Sequence, residues 1–227
     1  MKYYILIPLF LCTAVFSFAQ KNGSNLRSGQ MQSYNPILSS SVNDFVGSDN
    51  PIEGSRFVFE DFDKSGTIYT ANQLYRTEGL NIDALKHDII LKVGQDSILV
   101  LDKNNIDSLK INGRLFKKIE KDDRLFEVLY QNPGIALLGR YDCQIKKGNM
   151  NVMKGTTEKD SYKITESHFL FIEGKGIEAF SMRKKDVLNH FDDKRFEIKA
   201  YVQENNLDFK HLKDVVKIFD FYYTTKD

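Results

Sequence analysis

The sequence predicts an α+β protein: an antiparallel β-meander forms a curled sheet or partly open barrel, and two or three short C-terminal helices follow. Three observations lead to this prediction. Between residues 54 and 180, short runs of β-branched and aromatic residues alternate with polar ones, with turn signals about every 8 to 12 residues. An Asn-Gly pair at 112–113 and a Pro-Gly pair at 133–134 separate such runs. After Ser181, apolar residues recur at helical spacing.

The first 19 residues have the composition of a secretory signal peptide. Lys2 precedes an apolar run that continues to Phe18, and small residues occupy positions 17 and 19. We expect cleavage after Ala19, which makes the mature chain an exported protein, periplasmic or secreted. The alternative is a membrane anchor, but the run is slightly short for a span of about 20 residues and polar sequence follows it.

The composition excludes several classes of protein. The chain has 32 basic and 31 acidic residues, and removal of Lys2 with the signal peptide balances them. Nucleic acid and anionic membranes are therefore not expected partners on the basis of net charge. Cys12 lies in the signal peptide, so Cys143 is alone in the mature chain and cannot form an internal disulfide. No other segment is apolar enough to predict a transmembrane span in the mature chain.

We divide the mature chain into three parts. Residues 20–50 are rich in Ser, Asn, Gly and Gln and are interpreted as a flexible leader. The alternative is a docking segment with apolar anchors such as Tyr34 and Phe45. Residues 51–180 form the β-rich domain, and residues 181–227 form a helical C-terminal segment that packs on it.

The β-rich part contains a succession of strand-like runs joined by turn signals. Asn112-Gly113 accepts positive φ at both central positions of a type I′ turn, which matches the twist of a hairpin. Pro133-Gly134 has the pattern of a type II turn. The polar stretch 146–160 is interpreted as a long loop or a ragged hairpin tip. The strand-like runs are RFVFEDF (56–62), GTIYT (66–70), QLYRTEG (73–79), GLNIDAL (79–85), HDIILKV (87–93), SILVLD (97–102), IDSLKI (106–111), RLFKKI (114–119), RLFEVLY (124–130), IALLGRYD (135–142) and SYKITESHFLFIEGKGIEAF (161–180).

Three amphipathic helices are predicted in the C-terminal segment. Ser181 is the expected N-cap of the first helix, and Asp192 or Asp193 is expected to cap the second. Each helix has one apolar stripe, so it should pack on the sheet or on another helix. The stripes consist of Val187, Leu188 and Phe191, then Ile198, Tyr201 and Val202, then Leu212, Val215, Val216, Phe219, Tyr222 and Tyr223.

The stretch DFDKSGTIYTAN (61–72) resembles a calcium loop at first sight. A calcium-binding EF-hand loop needs a bidentate carboxylate at its twelfth position and a helix on either side. Asn72 occupies that position, and both flanking segments have strand character. We therefore interpret Asp61 and Asp63 as turn residues ahead of Ser65-Gly66. Weak calcium binding by Asp61 and Asp63 is left open.

The sequence contains no recognised catalytic or metal-binding pattern. The four histidines stand at 87, 168, 190 and 211 and form no zinc motif. The motif G-x-S-x-G is absent, the stretch SLKI at 108–111 misses the pattern S-x-x-K, and the acidic pairs are adjacent rather than opposed across a cleft. Cys143 is interpreted as a structural thiol. We therefore assign no catalytic, cofactor-binding or metal residues and no cofactor, and the ligand-binding residues stay unassigned.

Two long stretches resemble a group of bacterial proteins. They are GSRFVFEDFDKSGTIYTANQLYRTEGLNIDALKHDIILKVGQDSILVLDKNNIDSLKINGRLF and KKDVLNHFDDKRFEIKAYVQENNLDFKHLKDVVKIFDFYY. They resemble uncharacterised secreted proteins of gram-negative bacteria, which have a signal peptide, a β-meander and a short helical C-terminus. The resemblance implies an exported bacterial protein and assigns no site residues.

The expected function is that of an exported, non-enzymatic module that binds a partner or associates with the cell envelope. The alternative is a carrier of a small apolar ligand in a cavity of a β-barrel-like sheet. The chain has 17 Phe and 11 Tyr, which suit either reading. An exposed aromatic face would favour partner binding, whereas an enclosed apolar cavity would favour the carrier.

Overall fold

The computed structural model describes residues 24–25, 38–44, 52–94, 97–119, 123–151 and 156–225. It has two β-sheets followed by three short helices, which confirms the predicted α+β class, and the large sheet is not closed into a barrel. The predicted signal peptide lies outside the described residues. The same is true of the predicted leader apart from two strands whose backbone is described.

The described residues contain fifteen strands and three α-helices, and two short 3-10 turns lie at Lys103–Asn105 and Asp192–Lys194. The strands are β1 (Ser24–Asn25), β2 (Leu38–Asp44), β3 (Ser65–Tyr69), β4 (Leu74–Glu78), β5 (Leu80–Asp83), β6 (Asp88–Lys92), β7 (Ser97–Leu101), β8 (Ser108–Ile111), β9 (Arg114–Lys118), β10 (Leu125–Asn132), β11 (Ile135–Lys146), β12 (Met150–Asn151), β13 (Thr156–Thr157), β14 (Ser161–Ile172) and β15 (Gly176–Phe180). The helices are α1 (Lys184–His190), α2 (Arg195–Glu204) and α3 (Leu212–Thr224).

The large sheet has the strand order β1-β4-β3-β8-β9-β10-β11-β14-β15, and the small sheet has the order β2-β7-β6-β5. The described strands pair antiparallel except for the two-residue strand β1, which runs parallel to β4. An isolated bridge between Glu53 and Ser161 is also parallel. The meander is therefore interrupted. After β4 the chain leaves the large sheet to build β5, β6 and β7, and it returns at β8.

The change of sheet occurs at Gly79, between β4 and β5. This glycine has φ +80°, and a Cβ there would lie 3.1 Å from the backbone oxygen of Lys92. The Lys92 backbone N–H donates to the Gly79 carbonyl oxygen at 2.9 Å. Glycine is needed here because the backbone is left-handed and a second strand passes close by.

The turn predictions agree with the backbone angles. Asn112 has φ +49° and Gly113 has φ +80°, as a type I′ hairpin between β8 and β9 requires. Gly134, between β10 and β11, has φ +77°, as the third residue of a type II turn does. Strands β11 and β14 pair along their whole length, so the polar stretch between them is the tip of a long hairpin, and β12 and β13 lie within that tip.

The predicted strand at 56–62 is not formed. Phe57 makes a single bridge to Asp83, and the rest of the stretch is irregular. The side chain of Asn81, which is fully buried, replaces the missing ladder: its Nδ2 donates to the Phe59 carbonyl oxygen at 2.8 Å, and its Oδ1 accepts from the Phe59 N–H at 3.1 Å. An interior amide thus satisfies the backbone that the alternating pattern assigned to a strand.

Both predicted helix caps were wrong in detail. Helix α1 begins at Lys184 after Arg183, and Ser181 Oγ accepts the Arg183 N–H at 3.3 Å before the helix starts. Asp192 and Asp193 belong to a 3-10 turn, and neither makes a side-chain cap bond at the start of α2. The Asp193 carboxylate instead accepts a hydrogen bond from the Tyr222 hydroxyl of α3 at 2.8 Å.

One face of the large sheet, called here the covered face, is buried under two different layers. At one end the small sheet packs on it, and Ile68, Leu109 and Phe116 of the large sheet contact Leu80 and Leu101 of the small one. At the other end the helices pack on it. This second core consists of Ile135, Leu137, Leu170, Val187, Leu188, Phe191, Ile198, Phe209, Val215, Ile218, Phe219 and Tyr222.

The opposite face of the large sheet, called here the outward face, carries a third apolar cluster. Its members come from β10, β11, β14 and β15 and from the residue after β9. They are Ile119, Phe126, Val128, Ala136, Leu138, Phe169, Phe171 and Ile177. No described residue of the small sheet or the helices belongs to this cluster.

Candidate functional site

A polar cluster lies on the covered face, between the sheet–sheet core and the sheet–helix core. It consists of Arg114, Glu127, Tyr141, Glu166 and His168, which come from four adjacent strands, β9, β10, β11 and β14. The register brings them together, because Tyr141 lies opposite Glu166, and Gly139 lies opposite both Glu127 and His168.

Arg114 and Glu127 form a two-point ion pair at the centre of this polar cluster. Arg114 Nε donates to Glu127 Oε1 at 2.7 Å, and Nη2 donates to Oε2 at 2.5 Å. The Tyr141 hydroxyl donates to the same Oε2 at 2.7 Å and lies 2.5 Å from Arg114 Nη2. The guanidinium also lies over the rings of Phe59 and Phe116, at 4.9 Å and 5.3 Å from their centroids.

Burial and the neighbouring charges shift the pKa values of Arg114, Tyr141 and Glu166. Burial and the hydrogen bond to Glu127 raise the pKa of Tyr141 well above its usual value. Burial opposes the charge of Arg114, but the bond to Glu127 raises the pKa of that guanidinium. The close contact with His168 lowers the pKa of Glu166, and burial opposes this effect. His168 Nε2 lies 3.2 Å from Glu166 Oε1.

This arrangement suits a structural clamp better than proton transfer. Both oxygens of Glu127 accept hydrogen bonds, and Tyr141 keeps its proton. A general base needs a pKa near the working pH and a free lone pair directed at a substrate. The Glu127 carboxylate is instead held by Arg114 and Tyr141, so the polar cluster ties β9, β10 and β11 together beneath the junction of the two layers.

The outward face combines buried and half-buried apolar side chains. Phe126 and Leu138 are fully buried, whereas Val128, Phe169 and Phe171 are half-buried. The Phe126 and Phe169 rings meet edge to face, with centroids 5.6 Å apart. Aromatic residues contribute much of the contact area at interfaces, and sheet faces of this kind are normally packed against another layer.

The outward side chains of successive strands form one row across the sheet. The pairings join Arg76 to Thr67, Thr67 to Lys110 and Lys110 to Leu115, and they join Val128 to Leu138, Leu138 to Phe169 and Phe169 to Ala179. Leu115 and Val128 are adjacent because Phe116 pairs with Glu127. The row is therefore basic at one end and apolar at the other: Arg76, Thr67, Lys110, Leu115, Val128, Leu138, Phe169, Ala179.

The stretch that resembled a calcium loop is built around a strand. Asp61 and Asp63 are exposed in the irregular segment before β3, and Lys64 Nζ lies 2.7 Å from Asp63 Oδ1. Gly66 is buried inside β3, opposite Thr77. Asp61 and Asp63 precede the strand as expected, but Ser65-Gly66 is part of the strand. Among the described residues, no group of three or more His, Cys, Asp or Glu side chains is placed to hold a metal.

The four histidines lie in four different surroundings. His87 has φ +56° and lies 3.6 Å from Asp142. His190 stacks on Phe219 in the helical layer, and His211 precedes α3 near Asp214. His168 belongs to the polar cluster.

Cys143 lies near the end of the paired part of β11 and is largely buried. Its backbone N–H donates to the Ala84 carbonyl oxygen at 3.0 Å, which ties β11 to the β5–β6 turn. Burial raises the pKa of the Cys143 thiol. A thiolate is the nucleophilic form of cysteine, so this environment disfavours nucleophilic chemistry.

The polar cluster was missed at the level of sequence. A signal was present in the sequence. Arg114 stands two residues before Phe116, and Glu127 stands two residues after Leu125. Side chains two residues apart on a strand point to the same face, so both charged residues share the face of these core residues. A charge at such a position needs a buried partner. The identity of that partner depends on the register across four strands.

In the described ranges, none of the helices combines the length and the apolar content that a membrane span requires. The chain matches no protein-family model, and no curated protein or solved structure matches it either.

Proposed function

We propose that the mature chain is an exported, non-enzymatic protein that binds a partner protein through the outward face of its large sheet. One observation carries the proposal: half-buried Val128, Phe169, Phe171 and Ile177 surround a buried apolar centre, and no described residue of the other layers packs on them. Contiguous apolar surface of this kind is typical of interaction sites.

Export rests on the sequence of residues 1–19, with its early Lys2 and its small residue at the expected cleavage point, Ala19. The absence of catalysis is supported by the state of the polar cluster. Its tyrosine stays protonated, and both oxygens of its central carboxylate already accept hydrogen bonds from within the cluster. A binding role needs neither group to change its protonation state.

An isolated exposed side chain is a weaker candidate for recognition. Phe196 on α2 is 85% exposed, and Lys199 Nζ lies 5.7 Å from its ring centroid. Single apolar residues on a surface are common and need no partner, whereas a contiguous patch indicates one.

The carrier of a small apolar ligand gains less support. A carrier needs an enclosed cavity, and the large sheet is not closed into a barrel. The space between the two sheets holds fully buried side chains, among them Ile68, Leu80, Leu109 and Ile111.

Site-specific photocrosslinking in the producing cell tests the proposal. A photoreactive amino acid is placed at Ala179 or at Lys110, both exposed on the outward face. A matched control places it at Lys213, which is exposed on α3 in the helical layer. We expect one discrete protein adduct from positions 110 and 179 and none from position 213. Adducts of equal yield from all three positions, or none from the outward face, would contradict the proposal.

A further inference from the structure

The charge on the outward face is not evenly distributed. Arg76 and Lys110 are exposed at the β4 and β8 end of the row. Lys117 lies on the same face of β9, and its Nζ donates to Gln131 Oε1 at 3.1 Å. At the other end, Arg140 lies over the Phe169 ring and pairs with a neighbouring carboxylate, so its charge is already matched. Toward β4, the cations Arg76, Lys110 and Lys117 outnumber the exposed carboxylate of Glu78, so a partner meets net positive charge there.

From this distribution, which we interpret on the basis of the proposed function, we infer that the outward face receives an acidic amphipathic helix of a partner protein. The apolar stripe of the helix lies over Val128, Leu138 and Phe169, and its carboxylates lie over Lys110 and Lys117. Helices already cover the other face of these same strands, and a helix is one of the two layers that a sheet face accepts.

The dimensions of the apolar part of the row fit one short helix. It spans β9, β10, β11, β14 and β15, which at about 4.8 Å per strand spacing is roughly 19 Å. A helix rises about 1.5 Å per residue, so about 13 residues cover that distance. Lys110 on β8 lies one further spacing away, about 5 Å, so a carboxylate in the next helical turn reaches it.

Two other occupants fit less well. A lipid bilayer needs apolar side chains that enter it by about 5–10 Å, but Phe126 and Leu138 are fully buried and their neighbours are half-buried. A second copy would contact this face through the same patch on both subunits. It would therefore present a second set of the cations Arg76, Lys110 and Lys117, which outnumber the exposed carboxylate of Glu78 on the same face.

Two synthetic peptides of about 18 residues, each long enough as a helix to reach from β15 to Lys110 on β8, provide the probe. Both carry the same stripe of Leu and Phe; one has Glu in its last turn, and the other has Lys there. Fluorescence anisotropy with the purified, processed protein gives each Kd. We expect the acidic peptide to bind about tenfold more tightly at low salt, and the difference to shrink as salt is added.

Charge reversal on the protein completes the test. The double variant Lys110→Glu, Lys117→Glu should lose about tenfold in affinity for the acidic peptide and gain affinity for the basic one. Lys213→Glu on α3 is the matched control and should change neither Kd. If both peptides bind equally and Ile177→Asp abolishes the binding of both, the inference of an acidic helix is refuted. The proposal that the outward face binds a partner would still stand. Binding of neither peptide, or binding that no outward-face variant alters, would overturn the inference whatever photocrosslinking shows.

Discussion

Arg114 and Glu127 face each other across β9 and β10 as a two-point ion pair, with N–O distances of 2.7 Å and 2.5 Å. The Glu127 side chain is 9% exposed and that of Arg114 is 32% exposed. The pair is therefore asymmetric: the carboxylate depends on the guanidinium and on Tyr141 for all of its polar contacts in the described structure, whereas the guanidinium still reaches solvent.

The first prediction follows from this asymmetry. Arg114→Met leaves a carboxylate buried with only the Tyr141 hydroxyl for a partner, and we expect it to lower the free energy of unfolding by about 2 to 3 kcal/mol. Urea unfolding followed by circular dichroism measures the change. Asp192→Asn is the control, because it removes an exposed pair with Arg195 at 3.3 Å and should cost less than about 1 kcal/mol.

A double variant separates the ion pair from its surroundings. Arg114→Met with Glu127→Leu removes both charges, so no buried carboxylate is left unpaired, and the double variant should be more stable than Arg114→Met alone. The single variant Glu127→Leu completes the cycle. If the losses of stability in Arg114→Met and Glu127→Leu simply add in the double variant, the two side chains are not coupled and the polar cluster is not held together by this ion pair.

The second prediction concerns Gly79, where the chain passes from the large sheet to the small one. Gly79→Ala should lower the free energy of unfolding by about 1 to 3 kcal/mol, because it places a Cβ on left-handed backbone and 3.1 Å from the Lys92 oxygen. Thermal unfolding of the two variants measures this. Gly94→Ala is the control, since a Cβ there meets nothing within 4 Å. Similar losses at both positions would show that Gly79 is not under conformational constraint.

Features set by neighbouring residues could be predicted from the sequence, whereas features set by contacts between distant segments could not. Asn112-Gly113 and Pro133-Gly134 fix their turns through their own φ preferences, so the hairpins they close were predictable. The division into two sheets was not predicted. Gly79 lies at the point where the chain changes sheet, but a glycine between two strand-like runs is also the ordinary signal of a hairpin turn. Only the close approach of the Lys92 backbone distinguishes a change of sheet from a hairpin turn here.

The irregular segment before β3 illustrates a different limit. Phe57 and Phe59 share one parity and Val58 has the other, as in a strand, but a strand needs a neighbouring edge to pair with along its length. Asn81 supplies hydrogen bonds from its side chain instead. The polar cluster was hidden for a related reason, since the contact between Tyr141 and Glu166 exists only after β11 and β14 have paired in register.

The third prediction concerns acid unfolding of the helical segment. The backbone N–H of Asp208 and the Lys217 ammonium lower the pKa of Asp214 below its ordinary value of 3.8. A lowered pKa in the folded state stabilises the protein above the unfolded value, and that contribution is lost as the pH falls through the folded pKa. We therefore expect Asp214→Asn to flatten the pH dependence of stability below about pH 4.

The pH dependence of stability is measured from the midpoints of urea unfolding between pH 2 and pH 7, at intervals of about one pH unit, for the wild type and for Asp214→Asn. Asp220→Asn is the matched control on the same helix, because Asp220 is exposed. Asp220→Asn should reproduce the wild-type curve. Identical curves for the wild type and Asp214→Asn would show that Asp214 does not contribute to the acid transition.

The fourth prediction uses the fully buried amide of Asn81. Its Nδ2 donates to the Phe59 carbonyl oxygen, so Asn81→Asp places a carboxylate oxygen against that carbonyl unless the acid is protonated. Burial then raises the pKa of the new acid in the folded state, and a group whose folded pKa is raised loses stability as the pH rises above its unfolded value of about 3.9. The variant should therefore be more stable at pH 4 than at pH 7, the reverse of the acid sensitivity expected from Asp214. Urea unfolding at the two pH values measures the difference, and Asn81→Ala, which cannot ionise, is the control. If Asn81→Asp and Asn81→Ala show the same pH dependence, the amide does not hold the Phe59 backbone in the way the structure indicates.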